Sequence, residues 1–522
     1  MSGMPESNLT LPRDRWFQAA VLAALTLVVF APTLSSGFVY DARLQILTDP
    51  FLLAPGNWWP VLTFGTLSMD VLDFNRPVHL ASLMLDAAIW GREPFGYHLT
   101  SVLLHSLNVV MVWAVLRRLV PGIPMAAGVA VPLLFAVHPV VTEAVCEPTF
   151  REDILVACFT LAGLLLAMGH EPGQPGCDGW RAAACAACSL LAIGSKEAGI
   201  AAPAAISVYW LVCRRGDRGW FWPAAIGGVS FVVIGFLVAR FLLEPNPSRI
   251  FEARPQYPGG SLAAAMLIEP RILALYAQLF ILPVNLCADY GLYSVSHLPL
   301  PVALCVVAAV IMAAGIAVRT DRRMAIAAAI IVVPLLPVAN LVPIYRAAAD
   351  RYLYLPAAGV ALAAGLLIDG PWLAGRDGLR DRLVVACAGA AILLGIGCTE
   401  RQRVWADSLT LWTDTFQKNP VAYTAASGLA ASLREAGKLP EAEEIARRAI
   451  QLTDGKQGDA WVELALILDG QGRTHDAFEA LDKAVEIEPK QADPDGRVAA
   501  LAMERTTADE LKQLQARQKA AR

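Results

Sequence analysis

Eleven apolar stretches of this chain reach, or nearly reach, the length of a membrane span, two short ones lying as a pair around Ser195-Lys196-Glu197. They are Trp16–Leu34, His98–Leu116, Ile123–Val145, Ile154–Met168, Ala182–Ile193, Ala198–Cys213, Trp222–Leu243, Leu300–Val318, Met324–Pro343, Tyr352–Ile368 and Leu383–Cys398. A hydrocarbon core of about 30 Å takes about 20 residues of helix, and only helices or closed barrels satisfy their backbone within it. The pattern predicts an all-α, polytopic membrane helix bundle of about eleven spans. A twelfth stretch, Ile268–Leu282, is shorter and carries Glu269, Arg271 and Gln278, so it reads as a re-entrant or interfacial segment.

Charge marks where this bundle ends. Of 88 charged residues, 37 fall in Arg401–Arg522 and 51 in the preceding 400, a break that calls for two different solvents. The expected organisation is a membrane domain over 1–400 with a long first outer loop (35–97), a connecting helix over 401–420, a repeat region over 421–490 and a polar cap over 491–522. A net charge of −4 gives nucleic-acid binding no electrostatic support. Most of the ten cysteines sit in apolar runs, where a thiol acts as a small hydrophobe. Cys185-Ala-Ala-Cys188 has no second pair to complete a zinc or redox motif.

Lysine and arginine set the expected orientation. Arg13 and Arg15, Arg117–Arg118, Arg214–Arg215 with Arg218, Arg319 with Arg322–Arg323, and Arg376 with Arg380 and Arg382 recur at alternate loops. They assign the N-terminus to the cytoplasm and the C-terminal region to the far side, in a plasma (inner) membrane. The first apolar run, about 19 residues, exceeds a signal-peptide core and is read as a retained anchor.

In the C-terminal region two segments superimpose with a shift of 35. Leu429, Ala430, Leu433, Ala442, Ala446, Ala449 and Asp454 match Leu464, Ala465, Leu468, Ala477, Leu481, Ala484 and Pro489. That spacing is similar to the tetratricopeptide (TPR) repeat, a pair of helices with small residues where they touch.

Most of the conspicuous ionisable residues fall on the predicted outer side: Asp41, Asp49, Asp73 and Arg76 in the first loop, then His138, Glu143, Glu147, Arg151, Glu152 and Asp153, then Lys196 and Glu197, then Arg346, Asp350 and Arg351. Ionisable groups at membrane depth are costly, and their default reading is functional. Each also has a structural reading. Thr149-Phe150-Arg151-Glu152 is a capping box, and Asp153 suits a helix N-terminus. Arg346 and Arg351 suit interfacial anchors, and Lys196 can snorkel to water. His98, His105 and Asn108 share a helix face and read as inter-helix hydrogen bonders.

In chain order, Gly37-Phe38-Val39-Tyr40-Asp41, Asn75-Arg76-Pro77, Pro94-Phe95-Gly96-Tyr97-His98, His138-Pro139 with Thr142-Glu143-Ala144-Val145, Ser195-Lys196-Glu197, Asp350-Arg351-Tyr352-Leu353-Tyr354-Leu355-Pro356 and the repeats resemble one family. It is the transmembrane-and-tetratricopeptide-repeat O-mannosyltransferases with their bacterial relatives, of the GT-C glycosyltransferase class. The resemblance implies transfer of a sugar from a polyprenyl-phosphate donor to a hydroxyl, with proteins as the expected targets, with inversion and at the extracytoplasmic face. It implies no tightly bound cofactor and leaves a divalent metal open. The catalytic carboxylate of the class falls on Asp41. Lys196, Arg346, Arg351 and Arg151 become the donor-phosphate candidates, with Glu197, Asp350, His138, Glu143, Asp153 and Arg76 supporting them. The implied partners are membrane lipid, the lipid-linked sugar and a protein met by the repeats. One departure stands out: the family usually carries two adjacent acids where this chain has Asp41-Ala42. That departure keeps two other readings open, an inactive scaffold that binds proteins through its repeats and a transporter of lipid-linked sugars. The transporter requires charge through the bilayer midplane, whereas here it gathers at one end.

Overall fold

The computed structural model describes residues 13–63, 65–69, 71–169, 178–213, 257–291, 295 and 297–487. The expected span Trp222–Leu243, the arginines at 214, 215 and 218, Asp70 and the cap over 491–522 lie outside them. All regular elements among the described residues are helical. The chain divides into two compact units at Asp407/Ser408, with a short segment beginning at Asp289 assigned to the second.

The first unit contains α1 (Arg13–Phe30), α2 (Pro77–Trp90), α3 (Pro94–Leu119), α4 (Met125–Ala136), α5 (Thr142–Cys146), α6 (Arg151–Met168), α7 (Asp178–Ser195), α8 (Ala201–Cys213), α9 (Leu262–Ile281), α10 (Leu300–Thr320), α11 (Met324–Val332), α12 (Tyr354–Asp369) and α13 (Asp377–Val404). Among the described residues, six helical stretches are long and apolar enough to cross a membrane, or seven when the bent pair Met125–Ala136 and Pro139–Cys146 is taken as one span. This is a multi-pass membrane protein. Several apolar runs of the sequence are interrupted for a local reason. The run Ile123–Val145 breaks at His138-Pro139, where proline cannot donate to the helix ladder. The run from Met324 tightens into a 3₁₀ turn over Val333–Val338, which contains two prolines. The stretch read as re-entrant is a 20-residue helix, α9, that starts earlier than the apolar pattern, at Ser261, whose hydroxyl accepts the Ala264 N–H at 3.2 Å.

Helix α3 packs against α1, α4, α6 and α12. Its polar face is used inside the bundle. His105 Nδ1 lies 2.7 Å from the Tyr354 hydroxyl and Nε2 lies 3.0 Å from the Ala136 carbonyl, while the Asn108 amide donates to the Ile154 carbonyl and the Tyr354 oxygen at 3.0 and 3.1 Å. Where α6 meets α7, Gly163 brings the backbones together: a Cβ there would stand 3.2 Å from the Cys188 Cβ. The Cys185 thiol donates to the Gly163 carbonyl at 3.4 Å, so the Cys-x-x-Cys string sits in a helix contact.

The second unit is formed by α14 (Ser408–Lys418), α15 (Tyr423–Glu435), α16 (Leu439–Leu452), α17 (Gly458–Gly470) and α18 (Thr474–Ile487). Helices α15 and α16 form one hairpin and α17 and α18 another, each turning at a glycine with positive φ, Gly437 and Gly472. Leu429, Ala430, Leu433, Ala442, Ala446 and Ala449, and their counterparts Leu464, Ala465, Leu468, Ala477, Leu481 and Ala484, are all buried. Arg434 ties the hairpins by donating to Glu463 at 2.6 Å.

Candidate active site

The segment after α1 passes through a 3₁₀ turn and reaches Val39 in extended conformation. Tyr40 then adopts φ +50°, a left-handed value that a non-glycine residue holds only when its surroundings enforce it. Here aromatic rings do so. Tyr40 packs edge-on to Phe150 (5.5 Å between centroids) and tilted against Trp405 (6.2 Å), with the Arg346 guanidinium over its ring at 5.6 Å. Asp41 follows. Solvent reaches its side chain, yet the protein packed around it pushes its pKa up to about 6, against the opposing pull of the Arg351 and Arg346 charges. Such a carboxylate is ionised at neutral pH and basic enough to accept a proton.

Around Asp41 the cations and acids form one connected network. Arg351 makes a close ion pair with Glu143, and its backbone N–H donates to the other Glu143 oxygen at 3.0 Å. Its guanidinium stacks on Phe150 at 4.0 Å. Lys196 bonds Asp153 at 2.6 Å and Glu152 at 2.9 Å, with the Tyr352 ring 5.2 Å away. Arg76 bridges Asp73 (2.7 Å), Glu152 (2.5 Å) and Glu197 (3.2 Å), and Asn75 donates to Glu197 at 2.6 Å. Asp350 is fully buried, 4.0 Å from Arg401 on α13. The turn that aims Lys196 depends on Gly199, since a Cβ there would lie 2.2 Å from the Ala192 carbonyl carbon.

Two of the residues singled out by sequence have other tasks. Arg151 is fully buried and occupied: it pairs with Asp86 at 2.6 Å and donates to the Tyr97 and Ser82 carbonyls and the Ser101 hydroxyl, at 2.8, 3.3 and 3.2 Å. Its donors hold α2, α3 and α6 together. His138 caps the break after α4, its Nδ1 accepting the Val140 N–H and its Nε2 lying 3.3 Å from the Phe280 carbonyl.

Glu147 is conspicuous in the sequence, but only the fold shows what it touches. Its carboxylate is fully buried, and one oxygen accepts both the Ala42 N–H at 2.9 Å and the Thr149 hydroxyl at 2.6 Å. Burial pushes this carboxyl well above the usual range, and the neighbouring Asp41 charge adds to the effect. A second acid is thus brought to residue 42 from 105 positions away, while the Ala42 methyl is itself buried. The nearer acids are engaged elsewhere: Asp49 accepts the Phe51 N–H at 2.8 Å, and Asp73 pairs with Arg76.

No protein-family model matches the chain. It is 24% identical over 455 residues to the protein O-mannosyl-transferase F38B6.6 of Caenorhabditis elegans, covering 83% of this chain and 62% of the relative. It is 33% identical over 199 residues to the human protein O-mannosyl-transferase TMTC2, and 34% identical over 174 residues to Drosophila melanogaster Tmtc1; these cover 36% and 31% of this chain and 23% and 19% of the relatives. The chain thus spans less than two thirds of the length of these relatives. Among solved structures, the crystal structure of ArnT from Cupriavidus metallidurans bound to undecaprenyl phosphate is similar over 90% of this chain and 80% of that one, at 17% identity and a TM-score of 0.43. Over most of its length, then, the chain is a sequence relative of the transmembrane-and-tetratricopeptide-repeat protein O-mannosyl-transferases, the family its motif series resembles.

Proposed function

We propose that the chain is an integral-membrane glycosyltransferase that moves a sugar from a polyprenyl-phosphate donor to a hydroxyl acceptor on a protein, at the membrane face opposite its N-terminus. The observation that carries this reading is the Asp41 carboxylate, with a pKa near 6 and within electrostatic reach of Arg346 and Arg351.

In the proposed step the acceptor oxygen bonds to the anomeric carbon as the bond from that carbon to the donor phosphate breaks. The acceptor proton passes to Asp41 and the polyprenyl phosphate departs with the electron pair. One displacement inverts the anomeric centre. Negative charge grows on the departing phosphate, which positioned cations stabilise. Arg346, half-buried over Tyr40, and Arg351, held by Glu143, are assigned to it, with Lys196 further along the same network. Arginine suits this task through its paired N–H donors. Mannose is the sugar the named relatives suggest, and the helical hairpins of the second unit are assigned to recruiting the acceptor protein.

The test is transfer by purified full-length chain from a polyprenyl-phosphate mannose to acceptor protein, compared with Asp41→Asn. Transfer unchanged in the variant removes Asp41 as the base. No transfer by the wild-type chain from mannose, glucose or galactose donors favours the scaffold reading. Sidedness is tested by labelling single cysteines introduced at the exposed positions Thr48 and Arg403: labelling of either from the cytoplasm overturns the arrangement.

A further inference from the structure

We propose that Asp73, His79 and Glu152 form a binding site for one divalent transition cation of the zinc or manganese class. One donor atom from each lies within 4.8 Å of the others. The three come from separate elements, the end of the first outer loop, the first turns of α2 and the start of α6. The independent observation is His79. Its side chain is fully buried, and neither ring nitrogen has a hydrogen-bond partner among the described residues. Buried polar atoms are nearly always satisfied, and an exception calls for a ligand that would satisfy it.

The distances favour an ion over a direct contact. His79 Nε2 stands 3.7 Å from Asp73 Oδ2, beyond hydrogen-bonding range. Two ligands bound to one cation at about 2.1 Å each stand about 3.4 Å apart at a tetrahedral angle and about 4.2 Å apart when opposed. Charge points the same way. The carboxylates of Asp73, Glu152 and Asp153 share two cations, Arg76 and Lys196, before Glu197 is counted on the same arginine. A mixed imidazole and carboxylate donor set suits zinc and manganese better than magnesium or calcium.

Both carboxylates already carry partners. Asp73 Oδ1 accepts from Arg76 at 2.7 Å and Oδ2 from Gln45 at 3.3 Å; Glu152 Oε2 accepts from Arg76 at 2.5 Å, and Oε1 lies 2.9 Å from Lys196. Each oxygen has a second lone pair, and outer hydrogen bonds of this kind orient metal ligands. The two nearby positive charges weaken the site relative to an all-carboxylate one. A bound ion would clamp the segment downstream of Asp41 to α2 and α6. Cation binding is independent of the transferase reading, so the two fail separately.

The test uses full-length chain in detergent, stripped with EDTA and titrated with Mn²⁺ while paramagnetic resonance follows the free ion; Zn²⁺ is then added as competitor. The expected result is one saturable Mn²⁺ site per chain, displaced by Zn²⁺ and weakened at least tenfold in both His79→Gln and Asp73→Asn. Asp73 is partly exposed, and its amide keeps the shape, so this variant decides the matter if the buried one does not fold. Absence of saturable binding, or binding equal in wild type and Asp73→Asn, overturns the site.

Discussion

The two ends of the helix bundle treat their charges in opposite ways. At the end bearing Asp41, cations are buried in direct contact with acids: Arg151 with Asp86, Lys196 with Glu152 and Asp153, and Arg351 with Glu143, with every side chain in these pairs at most 9% exposed. At the other end the arginines keep contact with solvent or turn to backbone carbonyls. Arg323 bonds Asp321, Asp369 and the Leu119 carbonyl while remaining 29% exposed, and Arg117 and Arg118 donate to the Ile123 and Leu165 carbonyls. Buried ion pairs are weak contributors to stability because desolvation offsets their attraction. Stability therefore does not account for their concentration at one end, which agrees with the phosphate-binding role proposed for Arg346, Arg351 and Lys196.

The difference between the ends can be broken or sharpened by mutation. Asp41→Asn has the largest expected effect: transfer falls by about 10³-fold, within the range for removal of a general base, as measured by initial rate with saturating donor. Because folding raises the Asp41 pKa to about 6, the folded chain holds that proton more tightly than the unfolded one. This carboxyl therefore costs stability increasingly between about pH 4 and 6 and fully above, and Asp41→Asn is expected to raise Tm at pH 7 by about 2 °C. The same pKa predicts that the wild-type rate drops about tenfold per unit below pH 6, as the base becomes protonated.

Removing a single partner separates the ends further. Arg351→Ala leaves the Glu143 carboxylate buried and unpaired, and is expected to cost about 3–5 kcal/mol in chemical denaturation. Arg323→Ala at the opposite end is expected to cost about 1 kcal/mol or less. Equal losses from the two would abolish the distinction between the ends. The smallest expected effect is that of Glu147→Ala, which frees the Ala42 N–H and is expected to reduce transfer about tenfold with the donor KM unchanged. A changed KM would instead place Glu147 in donor binding.

Much of this architecture was legible because membranes impose a strong rule on sequence. Apolar length alone located α1, α3, α10 and α12 to within a few residues, and found α13 while missing about six residues at each of its ends. The small residues of the repeat marked where the second unit's hairpins touch. The site was legible in part. Lys196, Arg351, Arg76, Glu143, Asp153 and Glu197 do converge, because each lies at or near the end of a helical segment. Asp86 and Arg401 were not singled out, and Glu147 was named without a partner, since their tasks depend on residues far away in the chain. Arg151 shows the converse. A lone cation at a helix start looks available until Asp86, on another helix, is seen to occupy it.

The sequence by itself determined that this protein crosses a membrane several times and that helical hairpins follow the bundle. These depend on local apolar length and period, which a single segment carries. Tertiary structure alone decided which acid meets which cation, and that Glu147 reaches the backbone of residue 42. Such pairings depend on where helices distant in sequence are packed side by side, and no one segment contains that information.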